Sequence, residues 1–162
     1  MTPQSIRAAC SLDAETIVSW FSTHRDAVIW GGLEVPDPLT ANWLAQQFLD
    51  PQRRYYVLAD ERGCVCGTYF LYHLPEERRL HLGRFAVAPN LRGRGLASLM
   101  IAYAKDVARS LGVEKITLRV YEDNVIARRL YERAGFYVPQ DANVETEPYG
   151  TVVLMRFDVS KP

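Results

Sequence analysis

An apolar run from Leu80 to Val87 leads through Arg92-Gly93-Arg94-Gly95-Leu96-Ala97 into an amphipathic stretch that reaches Leu111. Strand, glycine loop and helix in that order constrain the chain more than any other feature, because the helix must bury its apolar stripe against a sheet. Leu96, Leu99, Met100, Tyr103, Ala104, Val107, Ala108 and Leu111 recur at helical spacing, and Gly112 supplies a C-terminal stop. Gly93 and Gly95 permit a backbone path with φ > 0, so several N–H groups can converge on an anion at the helix N-terminus. The helix dipole adds about half a positive charge there.

The residues around this cradle narrow its ligand. A Walker loop closes on Lys-Ser or Lys-Thr, whereas Gly95 is followed by Leu96-Ala97, so a nucleotide triphosphatase is disfavoured. A dinucleotide site needs a third glycine, where Ser98 stands, and an acid on the next strand, which offers Arg119. What remains is Arg92-x-x-Gly95-x-Ala97 after a strand ending Ala86-Val87-Ala88-Pro89, and this resembles the pyrophosphate loop of the GNAT superfamily of acyl-CoA N-acyltransferases. A second motif strengthens the resemblance: Ile116-Thr117-Leu118-Arg119-Val120 alternates like a strand before Asn124-x-x-Ala127-x-x-Leu130-Tyr131-x-x-x-Gly135-Phe136. The two motifs together span Leu80 to Phe136.

The element pattern by itself predicts a mixed sheet with helices on both faces. The resemblance sharpens this to one α/β (α+β) domain over residues 1–162, with a mostly antiparallel central sheet of about six to seven strands splayed between the fourth and fifth. It implies acetyl-CoA as cofactor, transfer of acetyl by direct attack of a primary amine of a small molecule or peptide, and no metal. By the same resemblance, Arg92, Gly93, Arg94, Gly95, Leu96 and Ala97 bind the pyrophosphate, while Phe85, Ala86 and Val87 present main chain to the pantetheine arm and acetyl carbonyl. Asn124, Ala127 and Tyr131, at i, i+3 and i+7, share one helical face and line the cofactor groove. The alternatives are a CoA-binding regulatory or interaction domain without turnover, and a protein Nα- or lysine acetyltransferase.

Acetyl transfer sets two proton problems. A lysine-like amine with pKa about 10.4 is protonated at pH 7, roughly 4.6 kcal/mol away from its nucleophilic form, and the CoA thiolate leaves with a pKa near about 8.5. Tyr131 is the candidate acid toward that thiolate, with the Val87 N–H polarising the carbonyl. Some family members carry a glutamate in the fifth strand where Arg119 stands here, so the base falls to His81, Glu122, or Tyr69 or Tyr72 through water. Strand alternation places His81, Gly83 and Phe85 on one face. For the acceptor the resemblance points to Arg25 to Pro38, with Trp30 and Glu34, and to Pro139 to Tyr149, with Asp141, Glu145, Glu147 and Tyr149.

The remaining elements are a strand over Ser5 to Ala9, a helix capped by Ser11 that carries Ile17, Trp20 and Phe21, a loop from Val28 to Pro38 and a helix from Thr40 to Leu49. Strands over Tyr55 to Ala59 and Cys64 to Tyr72 flank the turn Asp60-Glu61-Arg62-Gly63. A helix capped by Asn124 runs through Ala134, followed by strands at Phe136 to Val138 and Thr151 to Val159. Nineteen basic residues balance nineteen acidic ones, so no global field recruits nucleic acid or an anionic membrane. Cys10, Cys64 and Cys66 lack zinc spacing, and Cys64 and Cys66 are expected on one strand face. The polar start Met1-Thr2-Pro3-Gln4 and the charges that interrupt every apolar segment predict a cytoplasmic protein without membrane contact, a monomer or homodimer.

Overall fold

The computed structural model describes residues 4–160 of the 162-residue chain, so Met1, Thr2 and Pro3 of the polar start lie outside the described residues. Seven strands form one sheet: β1 (Gln4–Ala8), β2 (Arg53–Asp60), β3 (Val65–Leu74), β4 (Arg79–Val87), β5 (Lys115–Tyr121), β6 (Val144–Glu147) and β7 (Gly150–Asp158). Their order is β1-β2-β3-β4-β5-β7-β6. Every neighbouring pair is antiparallel except β4 and β5, which run parallel.

Helices cover both faces, and the inward side chains of the strands explain the division. Tyr55, Val57 and Phe70 pack against Ala14, Ile17 and Leu44, which belong to α1 (Ala14–Val18) and α3 (Ala41–Gln47). The opposite face sends Leu58, Tyr69, Leu71, Leu80 and Leu82 against α4 (Leu96–Ser110) and α5 (Val125–Arg133). On α4 the buried residues are Leu96, Met100, Ile101, Ala104 and Ala108, one stripe along the helix; each large member contributes roughly 1.5–3 kcal/mol on leaving water. Leu99 and Leu111 stand off that stripe, each 42% exposed.

Several local expectations are corrected. The segment from Val28 is not loop throughout: α2 (His24–Gly31) extends to Gly31, because the Thr23 hydroxyl caps it by accepting from the Asp26 N–H (3.1 Å) and because Ala27 and Val28 are buried beneath it. Ser11 does not cap the first helix. It opens a 3-10 turn in which the buried Asp13 accepts from the Cys10 N–H (2.8 Å) and pairs with Arg7 (2.8 Å). Phe136 to Val138 makes only an isolated bridge, Tyr137 with Arg156, and β6 is an additional edge strand. Cys64 is exposed in the turn before β3 whereas Cys66 is buried within the strand, so they share no strand face.

The feature that positions the site lies in β4. Thr68 pairs with Ala86 and Phe70 with Gly83, so Tyr69 faces two residues, Arg84 and Phe85, in a β-bulge. Arg84 takes φ of 49°, a left-handed conformation, and the extra residue resets the alternation of the strand. Gly83 then faces α1 to α3, packed so closely that a Cβ there would sit 2.1 Å from Phe70 Cζ. Phe85 faces the other way, against Tyr69 and Tyr131. The expected shared face of His81, Gly83 and Phe85 is therefore broken between Gly83 and Phe85. The bulge also bends β4 away from its parallel neighbour: the two pair only over Arg79–His81 with Lys115–Thr117, and beyond that point the sheet is split, at the position the resemblance implied.

Candidate active site

On one side of the split the glycine loop opens α4. Gly95, with φ of 79°, is the N-cap residue and no side chain caps this helix, so the first amides of α4 are left for an external acceptor. Gly93 has φ of 76°, and the space where a Cβ would stand is open at both glycines. A bulky anion can reach the loop backbone there, and the geometry fits a pyrophosphate. At the end of β4 the Ala88 N–H bonds the Cys66 carbonyl of β3 (2.8 Å). By strand alternation the N–H groups of Val87 and Phe85 point the other way, into the split. Arg92 folds back on this strand end, its Nε donating to the Val87 carbonyl (3.4 Å).

The second motif brings a phenol to the same region. Asn124 is the N-cap of α5, its Oδ1 accepting from the Ala127 N–H (3.3 Å). Ala127 is half-buried, and Tyr131, only 7% exposed, sits edge-on to Phe85 of β4 (6.0 Å between ring centres) and to Phe136 (5.9 Å). Burial pushes the Tyr131 hydroxyl well above the usual phenol range, so it keeps its proton at neutral and mildly alkaline pH.

On the face of α2 the split opens into a cavity of about 490 Å3, whose lining includes Trp30, Glu34, Tyr72, His81, Arg84 and Arg119. Arg84 organises its wall. Arg84 is 5% exposed, and its guanidinium donates to the Gly31 carbonyl (3.0 Å), Gln47 Oε1 (3.1 Å) and the Tyr55 hydroxyl and lies over the Trp43 ring at 4.9 Å. Its Nη2 is 3.0 Å from Glu34 Oε1 but outside hydrogen-bond geometry. Trp30 clamps the bulge from the other side, Nε1 donating to the Arg84 carbonyl (2.7 Å).

His81 lies in the floor of this cavity, with Nδ1 held by Thr117 Oγ1 (3.0 Å), which also accepts from Arg79 Nη1 (2.9 Å). Nε2 is the ring nitrogen left for a ligand. Burial first, then the charges of Arg79, Arg119 and Arg53, pull the imidazole down to about 4, so it is neutral at pH 7. A histidine held below its unfolded value of about 6.5 stabilises the fold fully above that pH and loses the contribution as pH falls toward 4, up to about 3 kcal/mol. Urea unfolding at pH 4.5 and pH 7 should therefore show wild type losing more stability on acidification than His81→Gln; equal losses would contradict the buried neutral ring.

Other candidates are placed elsewhere. Glu122 is exposed in the turn after β5, its backbone N–H bonded to the Thr151 carbonyl (2.8 Å), and it does not line the cavity. Tyr149 packs against the small cluster of Ala27, Val28 and Val35, with Arg25 over its ring at 5.9 Å. Local sequence patterns do not mark Arg84, Arg53 and Tyr121 as parts of this site; the one available signal is Arg84 itself, an arginine between Leu82-Gly83 and Phe85-Ala86-Val87. Among the described residues no cluster of three metal-ligating side chains occurs, and no helix is long and apolar enough to cross a membrane.

Residues 16–136 match the Acetyltransferase (GNAT) family. The mycothiol acetyltransferase of Beutenbergia cavernae is 32% identical over 91 residues, 56% of this chain and 30% of that protein. The uncharacterized N-acetyltransferase YycN of Bacillus subtilis is 32% identical over 88 residues, 53% of this chain and 56% of that protein. These alignments thus leave a large part of both relatives unmatched. Among solved structures, the spermidine N-acetyltransferase of Vibrio cholerae in complex with CoA and spermine superposes with a TM-score of 0.77 at 24% identity, covering 98% of this chain and 96% of that one.

Proposed function

The chain belongs to the GNAT acetyltransferase family, and from that premise we propose that it is an N-acetyltransferase that moves acetyl from acetyl-CoA to a primary amine. The observation that carries this reading is the split between β4 and β5, which has open, uncapped amides at one side and an amine-sized cavity at the other. The loop from Arg92 to Ala97 would hold the pyrophosphate through main-chain N–H groups. When bound, the cofactor supplies an acetyl group activated as a thioester. The Val87 N–H would donate to the carbonyl oxygen and stabilise the negative charge that develops there, a contribution of about 3–4 kcal/mol for a well-placed donor.

The remaining roles concern protons and the acceptor. His81, neutral and anchored through Nδ1, would orient the attacking amine at Nε2 and hand its proton to water, since the buried ring does not retain charge. In the transfer the amine nitrogen would bond the acetyl carbon as the carbon–sulfur bond breaks, and Tyr131 would donate its proton to the departing sulfur and be reprotonated from solvent. The Vibrio cholerae enzyme that shares this fold is named for a small-molecule amine, spermidine.

Calorimetric titration with acetyl-CoA, followed by thiol release against an amine panel, tests the proposal. Binding with release supports it; absence of binding overturns the cofactor assignment. Gly95→Val places a side chain in the open space of the loop at a left-handed φ, and it should weaken acetyl-CoA binding about tenfold or more. An unchanged dissociation constant would move the pyrophosphate away from this loop.

A further inference from the structure

We propose that Trp30 is a positioning residue for the transfer: by holding the Arg84 carbonyl it aims the main-chain N–H groups of Phe85 and Val87 across the split. This rests on the transferase reading and ties the wall of the α2-face cavity to the cofactor side of β4. The Trp30 indole lines that cavity and donates from Nε1 to the Arg84 carbonyl (2.7 Å), 54 residues further along the chain. The Arg84–Phe85 peptide is trans, so its C=O and N–H point in opposite directions. A hold on the Arg84 carbonyl is therefore a hold on the direction of the Phe85 N–H. This stretch of β4 needs one. Arg84, at φ of 49°, sits where the ladder with β3 is interrupted between Thr68 and Phe70, and the extra residue of a bulge falls out of regular pairing. On its other side β4 pairs with β5 only as far as His81. The donors beyond the bulge take their aim from this peptide.

The indole is itself fixed. Its ring stacks on Phe21 at 4.5 Å between centres, with 24° between the planes. The next residue answers in the reverse sense: the Gly31 carbonyl accepts from Arg84 Nε (3.0 Å), so the last turn of α2 and the bulge are joined by two crossed hydrogen bonds. Gly31 leaves that turn little slack, since a Cβ there would sit 2.3 Å from Val35 Cγ2. Trp30 and Gly31 both line the cavity, so the surface that an acceptor would touch is joined to the peptide that sets the donors. Loss of the indole N–H frees the Arg84 carbonyl while the donors of the Arg84 side chain keep their partners, which separates the aim of the strand from its anchorage.

Two variants of the full chain separate the ring from its N–H. Trp30→Phe keeps an aromatic wall against Phe21 but has no donor, whereas Trp30→Gln loses the ring and keeps an amide N–H of similar reach. Both are followed by thiol release with acetyl-CoA and the best amine of the panel. The second readout is the infrared carbonyl band of bound acetyl-CoA, isotope-labelled at that carbon, against the same band in buffer. A hydrogen bond to the carbonyl lowers this band, and a role confined to packing leaves it in place. We expect Trp30→Phe to lower kcat about tenfold or more, part of the roughly 10²–10³ that a missing donor costs, with acceptor KM within about threefold and the band moved toward its position in buffer. Trp30→Gln should hold the band near the wild-type position and raise acceptor KM instead. A wild-type band that already sits at the buffer position, or one that Trp30→Phe leaves unmoved, overturns the inference whatever kcat does. A rise in KM alone in Trp30→Phe also overturns it and makes Trp30 only a wall of the cavity. If Trp30→Phe does not fold, the band in Trp30→Gln decides: the wild-type position supports the inference and the buffer position overturns it. Wild-type protein that binds acetyl-CoA but releases thiol with no amine overturns the transferase reading, and this inference with it.

Discussion

Arg84→Ala is expected to lower unfolding stability by about 3–5 kcal/mol, the range for stripping one partner from a buried charged network. Arg84 is 5% exposed, and its guanidinium serves Gly31, Gln47 and Tyr55 as donor, Glu34 as counter-charge and Trp43 as a cation over the ring. Its removal leaves the Gly31 carbonyl without a donor in a buried wall, at about 1–3 kcal/mol per orphaned group, in addition to a cavity. For a domain of this size the melting temperature should fall by roughly 6–20 °C. Arg84→Gly separates the two roles of the position. Glycine loses the same contacts but relieves a left-handed φ that costs other residues about 1–2 kcal/mol, which offsets its greater chain entropy. It should be no less stable than the alanine variant, whereas at an ordinary strand position it would be worse. A melting temperature within about 3 °C of wild type for Arg84→Ala would show that the bulge stands without the network.

That same bulge marks where the sequence ceases to be legible. The α4 stripe, the glycine loop, the Asn124 cap and the split between the fourth and fifth strands can be read from periodicity, short motifs and the family resemblance, whereas the parallel pairing of β4 with β5 is visible only in the structure. A bulge adds one residue and flips every side chain after it, so the facing of Phe85 depends on the conformation of Arg84, which nothing in Leu80 to Val87 specifies locally. Strand β6 lacks apolar alternation because Glu145 and Glu147 satisfy Arg119 and Tyr121 instead of a core. The cavity on the α2 face draws on α2, β2, β4, β5 and β6 at once, and Glu34 meets Arg84 and Arg53 across long stretches of chain. The Glu34 carboxylate, in the segment to which the resemblance pointed for the acceptor, is thereby occupied by two arginines.

Tyr131→Phe is expected to reduce kcat by about 10²–10⁴-fold, the contribution of a positioned general acid, while the dissociation constant of acetyl-CoA stays within about threefold. Phenylalanine keeps the ring contacts with Phe85 and Phe136 and removes only a hydroxyl, so packing and the melting temperature should change little. Burial raises the Tyr131 pKa above the ordinary phenol value of about 10, with two consequences. The O–H is present across the whole working range, so ionisation of Tyr131 should produce no fall in wild-type kcat between pH 7 and about pH 9.5. Proton transfer to a thiolate of pKa about 8.5 is uphill, so on the proposed role Tyr131 would act as the carbon–sulfur bond breaks and its tyrosinate would be refilled by water. In the variant the thiolate has to leave unprotonated, and its rate should lose any dependence on this donor. Thiol release followed at saturating acetyl-CoA and acceptor reads kcat directly, and calorimetry on the same variant reads binding. Full kcat in Tyr131→Phe would assign the leaving-group proton to solvent and reduce Tyr131 to an aromatic wall of the split.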